Sequence, residues 1–198
     1  FARGDLARRI FNYSDDEVGK LQKSLNRLAD SLQDKINTLV LEQNKLRLPD
    51  IQAVIDGMEP LPGAADFLAE LRSRYQVVIL SDTFYEFAQP FMRKLGWPTL
   101  FCHSLEIGAS GTIVDYRLRQ PNQKQAAVEA LKSLNATIVA AGDSYNDVNM
   151  LKAADAGFFI HPPANITAEF PQFPVMNDHA SLLEAIDAAF ARLAQKPA

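Results

Sequence analysis

Two carboxylates four residues apart, Asp143 and Asp147, fall in the run Gly142-Asp143-Ser144-Tyr145-Asn146-Asp147, where apolar residues give way to a helical pattern. At that spacing both side chains can approach one point near the start of the helix. Hard oxygen ligands gathered there suit Mg²⁺, which prefers octahedral oxygen coordination and often binds a substrate phosphate while keeping several waters. The first helical turn adds N–H groups that favour anions. A simpler role is equally open: Asp143 or Ser144 can cap the helix. A second polar cluster, Ser81-Asp82-Thr83, follows another apolar run, and the Ser81 hydroxyl with its neighbouring N–H groups can cradle a phosphate or cap the next helix. Lys124 opens a third segment after Pro121-Asn122. A cation in a first helical turn opposes the helix dipole, so it either neutralises an anion or lies solvated on the surface.

These residues need elements to hold them. Gln76-Val77-Val78-Ile79-Leu80, before Ser81, and residues 137–141, before Gly142, read as buried strands of a parallel sheet. Residues 62–75, 84–95, 123–134, 146–154 and 181–193 read as helices, and residues 100–103, 113–118 and 157–160 as further strands. The alternation predicts an α/β fold, a Rossmann-like parallel sheet with flanking helices and right-handed crossovers. Ligands in such sheets gather at the carboxyl ends of strands, so the two polar clusters are expected to face one crevice.

The N-terminal part has a different period. In residues 14–44, Val18, Leu21, Leu25, Leu28 and Leu32 recur at alternating three- and four-residue steps, and Ile36, Leu39 and Val40 prolong the stripe. Ser14 and Glu17 form a capping box for one long helix, and Pro49 lies beyond its end. Its apolar seam needs a partner, either other helices or a second copy of the chain, so a homodimer is one expectation; the strict heptad falters at Lys35. This divides the chain into a helical, cap-like or replaced N-terminal segment, residues 1–48, and a core, residues 49–198.

Composition narrows the partners. With 20 basic and 24 acidic residues the formal charge is −4, and no basic excess points to nucleic acid or an anionic membrane, which leaves small polar ligands. Cys102 is the only cysteine, which excludes an intrachain disulfide and a multi-cysteine zinc site; in Thr99-Leu100-Phe101-Cys102 it reads as a small buried hydrophobe. No apolar run reaches the roughly 18 residues of a membrane span, and no signal peptide opens the chain, so a cytoplasmic enzyme is expected. The first residue, Phe1, is compatible with a fragment or a processed chain.

Taken in order, Ser81-Asp82-Thr83, Lys124 and Gly142-Asp143-Ser144-Tyr145-Asn146-Asp147 resemble the later motifs of the haloacid dehalogenase superfamily of phosphotransferases. Leu80 to Phe87 (LSDTFYEF), Ala140 to Asp147 (AAGDSYND) and Phe170 to Pro174 (FPQFP) look like its phosphoserine phosphatase and homoserine phosphotransferase branch, and the likeness covers roughly residues 48–174. The resemblance implies that Ser81 and Lys124 hold a substrate phosphate, with Asp82, Thr83 and Asn146 also binding the substrate or its phosphate. It makes Asp143 the Mg²⁺ ligand, and Asp147 a catalytic residue with Lys124, supporting both the lysine and the metal site. The implied substrate is a small phosphorylated amino acid in serine or threonine biosynthesis, and the implied intermediate a phosphoaspartate.

One family feature lacks a convincing counterpart. The family opens with a buried strand ending in an Asp nucleophile, followed two residues later by Asp or, in this branch, Glu. Asp15-Asp16-Glu17, after Ile10-Phe11-Asn12-Tyr13, has the carboxylate spacing but a poor strand and a helix-cap explanation. Two expectations follow. Either the nucleophile strand lies upstream of this chain, or residues 8–13 replace it in a phosphate-binding or helix-mediated oligomerisation module without catalysis. In this fold the nucleophile strand runs between those ending at Ser81 and Gly142, so its loss would leave backbone groups unpaired in the sheet centre.

Overall fold

The structure, a computed structural model, describes residues 47–195; the expected helix of residues 14–44, the candidate Asp15-Asp16-Glu17 and residues 8–13 lie outside the described residues. The chain enters through α1 (Leu48–Asp56) and α2 (Ala64–Arg74), then runs through β1 (Val78–Phe84), α3 (Tyr85–Lys94), β2 (Thr99–Ile107), β3 (Ile113–Arg117) and α4 (Gln123–Ser133). It continues as β4 (Val139–Gly142), a 3₁₀ turn (Tyr145–Asp147), α5 (Val148–Ala153), β5 (Ala156–Ile160), α6 (Ala164–Glu169), β6 (Val175–Met176) and α7 (His179–Ala194). The α/β class and the helices flanking parallel strands agree with the sequence reading.

The sheet itself departs from it. Among the described residues the strands form two three-stranded sheets, β1-β2-β3 and β4-β5-β6, in which β1 and β4 are terminal strands. β1 and β2 are parallel, as are β4, β5 and β6, but β3 returns antiparallel to β2. The short connection through Gly108 and Gly111 explains the reversal: a tight turn joins antiparallel neighbours, whereas parallel ones need a crossover of a dozen or more residues. A right-handed crossover therefore does not link β2 to β3.

β1 also runs further than the apolar residues that announce it. Val78, Ile79 and Leu80 pair with Thr99, Leu100 and Phe101; pairing then shifts before resuming at Phe84 and His103. Ser81, Asp82 and Thr83 occupy the irregularity, and a lapse in the ladder frees groups that regular pairing would use.

Two apolar layers enclose β4 and β5, because successive strand side chains point to opposite faces. Phe159 packs with Val128, Ala140, Val148, Met150, Leu151 and Ile166, and Leu80 of β1 packs against the same group, so one core serves both sheets. Phe158 packs the other way, with Leu182, Ile186 and Ala189 of α7 and with Phe67 and Leu71 of α2. Burying side chains of this size contributes about 1.5–3 kcal/mol each. α4 contacts both β1 and α5, so it spans the two sheets.

The helix after Ser81-Asp82-Thr83 has Pro90 in its interior. Proline has no N–H for the carbonyl four residues back, and the side-chain amide of Gln52 donates to that carbonyl, Glu86 O, at 2.7 Å. Gln52→Leu should therefore destabilise the chain by about 1 kcal/mol, and by clearly less in a Pro90→Ala background, where the backbone donor returns. Chemical denaturation of the four variants measures the coupling; equal losses in both backgrounds would reject the compensation.

Candidate active site

The two strand ends are joined by a lysine. Lys124, in the first turn of α4, places Nζ 2.8 Å from Asp147 Oδ1 and 3.1 Å from Asp82 Oδ2. Asp82 stands in β1 and Asp147 in the turn after β4. The unfavourable first-turn cation is thus offset by two carboxylates, and the surface-lysine reading is set aside: the Lys124 side chain is 13% exposed and that of Asp147 8%.

Asp147 divides its oxygens between two tasks. Oδ1 faces Lys124, while Oδ2 accepts the N–H groups of Asp143 and Ser144 at 3.0 and 3.1 Å and the Ser144 hydroxyl at 2.8 Å. The helix-cap role considered for this run is therefore real, filled by Ser144 and Asp147 together, and compatible with the ion pair. Gly142 makes room for it: a Cβ there would lie 2.4 Å from the Asp147 Cβ, so any larger residue would push the carboxylate off the strand end.

Burial alone would raise the Asp147 pKa, but hydrogen bonding and attraction from Lys124, with help from Ser144 and the Asp143 N–H, hold it below its ordinary value. Burial likewise opposes the charged lysine; Asp147 and then Asp82 outweigh it and raise the Lys124 pKa. The pair is ionised at neutral pH.

Gln123, beside Lys124, completes the link. Its amide donates to the Ser81 carbonyl and to Asp82 Oδ1, the latter at 3.2 Å. The residue is 4% exposed, and its Oε1 is a buried acceptor without a hydrogen-bond donor among the described residues. The preceding Asn122 turns the chain with a φ of 47°, a left-handed conformation that asparagine tolerates. Ser81 Oγ accepts the Thr83 N–H at 3.3 Å, which leaves the serine O–H to donate elsewhere.

Of the residues singled out in the sequence, Asp82, Lys124 and Asp147 form one charged cluster, with Ser81 and Thr83 beside it on β1. Asp143 and Asn146 are exposed at the β4 end, and neither side chain makes a hydrogen bond or ion pair among the described residues. Sequence reasoning missed Gln123 and the close approach at Gly142. It also missed a brace behind the loop, where Tyr145 donates to Glu169 Oε2 at 2.8 Å and Asn165 donates to the Tyr145 oxygen at 3.2 Å. Nothing local signals such long-range partners, although a glutamine preceding a first-turn lysine could have prompted the question.

The donor set suits Mg²⁺ in kind. Asp143 offers an exposed carboxylate uncommitted to any described side chain, whereas Asp82 and Asp147 are engaged by Lys124. Among the described residues no group of three His, Cys, Asp or Glu side chains could hold a metal. Mg²⁺ commonly uses one or two carboxylates, completing its shell with water and substrate phosphate, so Asp143 fits as one such ligand.

A parallel-stranded α/β core with a lysine clamped between two strand-end aspartates defines a class, and the sequence comparison gives the same one. The haloacid dehalogenase-like hydrolase family matches residues 3–155, and the chain belongs to that family. It is 54% identical over 143 residues to the phosphoserine phosphatase ThrH of Pseudomonas aeruginosa, covering 72% of this chain and 70% of that protein. It is 55% identical over 138 residues to a phosphoserine phosphatase of Pseudomonas syringae pv. tomato, covering 70% of this chain but only 58% of that relative. Among solved structures, an apo phosphoserine phosphatase matches with a TM-score of 0.63 at 21% identity, over 82% of this chain and 86% of the other. A phospho-aspartyl intermediate analogue of phosphoserine phosphatase matches with a TM-score of 0.60 at 23% identity, over 71% of each. These structural likenesses establish the fold.

The ion pair gives a pH signature. Because the Asp147 pKa is lowered by folding, its stabilisation is present above the unfolded value, 3.8, and is lost as pH falls through the lower folded value. Asp147→Asn, which leaves a buried lysine short of a partner, should cost about 3 kcal/mol near pH 7. The difference from the parent should shrink below pH 3.8. Denaturation across pH 2.5–7 (roughly the window set by ordinary carboxylate values) tests this; a pH-independent difference would mean that the carboxylate charge contributes nothing.

Proposed function

We propose that this chain forms most of a Mg²⁺-dependent phosphatase or phosphotransferase site for a small phosphorylated amino acid, phosphoserine in the first instance, with transfer to water or to a hydroxyl acceptor such as homoserine. The observation that carries the reading is Lys124 held between Asp82 and Asp147 at two strand ends, beside the exposed Asp143. The relatives named phosphoserine phosphatase support the substrate class. A cytoplasmic location accords with the single cysteine; among the described residues no helix is long and apolar enough to cross a membrane. A homodimer through the apolar seam of residues 14–44 belongs to the same proposal.

Phosphoryl transfer needs positioning and charge stabilisation more than covalent chemistry from its surroundings. In this reading Lys124 donates to a phosphoryl oxygen, and the Ser81 hydroxyl, its own oxygen already accepting from Thr83, turns its proton to another. Asp147 keeps the lysine charged and aimed, and Asp82 with Gln123 fixes the strand end on the helix start. Thr83 and Asn146 border the phosphate. When bound, Mg²⁺ at Asp143 supplies positive charge against phosphoryl oxygens. The attacking group is an aspartate that forms the phosphoaspartate; it lies upstream of, or is absent from, the chain, and neither Asp82, engaged by Lys124, nor Asp143, assigned to the metal, replaces it. A second reading, a phosphate-binding or oligomerising module without turnover, draws support from the open edges of β1 and β4 among the described residues.

The charges give both readings a common requirement. Asp82, Asp143 and Asp147 outnumber Lys124 in the cluster, so a phosphate monoester meets net negative charge unless a divalent cation accompanies it. Thermal melts should show stabilisation by phosphoserine with Mg²⁺, following mass action, but almost none by either alone, and Lys124→Met should remove most of the shift. A full shift without Mg²⁺, or one unchanged by Lys124→Met, would refute the assigned site.

A further inference from the structure

Gln123 and Lys124 are the first two residues of α4, and both reach the same side chain on β1. Asp82 Oδ1 accepts the Gln123 amide at 3.2 Å, and Asp82 Oδ2 lies 3.1 Å from Lys124 Nζ. The amide also donates to the Ser81 carbonyl. Reversing it would set Oε1 against a carbonyl and a carboxylate, neither of which can donate. The N–H groups therefore stay on β1, although Oε1 then has no donor among the described residues. A buried polar atom in that position calls for a reason, and what the amide holds supplies it.

The two carboxylates that share Lys124 are not equally anchored. Asp147 Oδ2 accepts three donors of its own loop, the N–H groups of Asp143 and Ser144 and the Ser144 hydroxyl. Asp82 has no such loop: its side chain is 43% exposed, and besides Lys124 its donor among the described residues is the Gln123 amide. An exposed ion pair between long side chains gains little by itself, because ordering them costs entropy. An ammonium group has three donors. With one directed at Asp147 Oδ1 and one at Asp82 Oδ2, tetrahedral geometry fixes the direction of the third. If Asp82 swings away, the ammonium is free to rotate about its Cε–Nζ bond. The Ser81 carbonyl thus sets the amide, the amide sets Asp82, and the two carboxylates set the ammonium.

We propose that Gln123 is a positioning residue of the phosphate site: by holding Asp82 it aims the third N–H of Lys124, and so sets affinity for a phosphate monoester that it does not touch. The proposal rests on the reading of Lys124 as donor to a phosphoryl oxygen, and two measurements on the full 198-residue chain separate the two. The first follows the ¹⁵Nζ ammonium resonance of Lys124 without ligand, where Gln123→Met should speed hydrogen exchange about threefold or more. The second is calorimetric titration with phosphoserine at saturating Mg²⁺. Gln123→Met should weaken binding about five- to tenfold, and Gln123→Glu, which keeps the shape but turns a donor into a like charge, should weaken it more. In an Asp82→Asn background the effect of Gln123→Met should shrink below about twofold, because residues acting through one another are not additive. Tyr75→Phe, which removes the hydrogen bond to Asp187 between the end of α2 and α7, lowers stability away from the site and should leave affinity unchanged. A resonance indifferent to Gln123→Met, equal losses of affinity with and without Asp82→Asn, or an equal loss from Tyr75→Phe would each overturn the proposal. Phosphoserine binding absent from the parent would overturn it through the reading of Lys124, and the resonance measured without ligand distinguishes that failure from a failure of Gln123.

Discussion

Everything at the candidate site depends on one ammonium group shared by two carboxylates. Lys124 reaches Asp82 on one sheet and Asp147 on the other, and among the described residues the sheets have no hydrogen-bonded ladder between them. Their association rests on a common apolar core and on α4. Leu80 and Val128 supply apolar contact, and Gln123 and Lys124 supply polar and ionic contact. The constraint explains otherwise odd choices: a cation where the helix dipole disfavours it, a glycine where a Cβ would strike Asp147, and a glutamine buried to 4% exposure between a carbonyl and a carboxylate.

The same arrangement shows how a fold turns a stability problem into a binding surface. A buried ion pair is a weak source of net stability because desolvation offsets its attraction. Its members are nonetheless kept charged by each other, and charge held in a low-dielectric setting is what a phosphate site requires. Asp147 satisfies the 3₁₀ turn with one oxygen and the lysine with the other, so one side chain serves both the turn and the ammonium. Asp143, exposed alongside, is left available for a cation.

Much of this was legible in the sequence, and the failures have causes. The strands before Ser81 and Gly142 were readable because buried parallel strands are continuous apolar runs. The ordered polar clusters were readable because strand ends collect ligand-binding residues in such sheets. The continuation of β1 through Ser81-Asp82-Thr83 was not, since pairing resumes only at Phe84 across from His103, and that partner is distant in sequence. Six-residue α6 and two-residue β6 are too short to show a period. The reversal at β3 was hidden because alternation alone does not reveal strand direction. Gln123 looked like any polar residue at a helix start; its two partners on β1 exist only in the folded chain.

Among the described residues β1 and β4 are terminal strands, and this gives the most direct test. A strand inserted between them would pair backbone groups on both sides, and an aspartate at its carboxyl end would join Lys124 and Asp143 at one crevice. The decisive measurement is Mg²⁺-dependent phosphate release from phosphoserine by the chain extended at its N-terminus with a β-branched strand ending in Asp-x-Glu. Activity should appear in the extended chain, disappear when that Asp becomes Asn, and fall at least 100-fold with Lys124→Met, in line with losses on removing one charge-stabilising group. An extended chain that folds and binds phosphoserine with Mg²⁺ yet releases no phosphate, or one whose release is indifferent to Lys124→Met, would contradict the central role given to the lysine bridge.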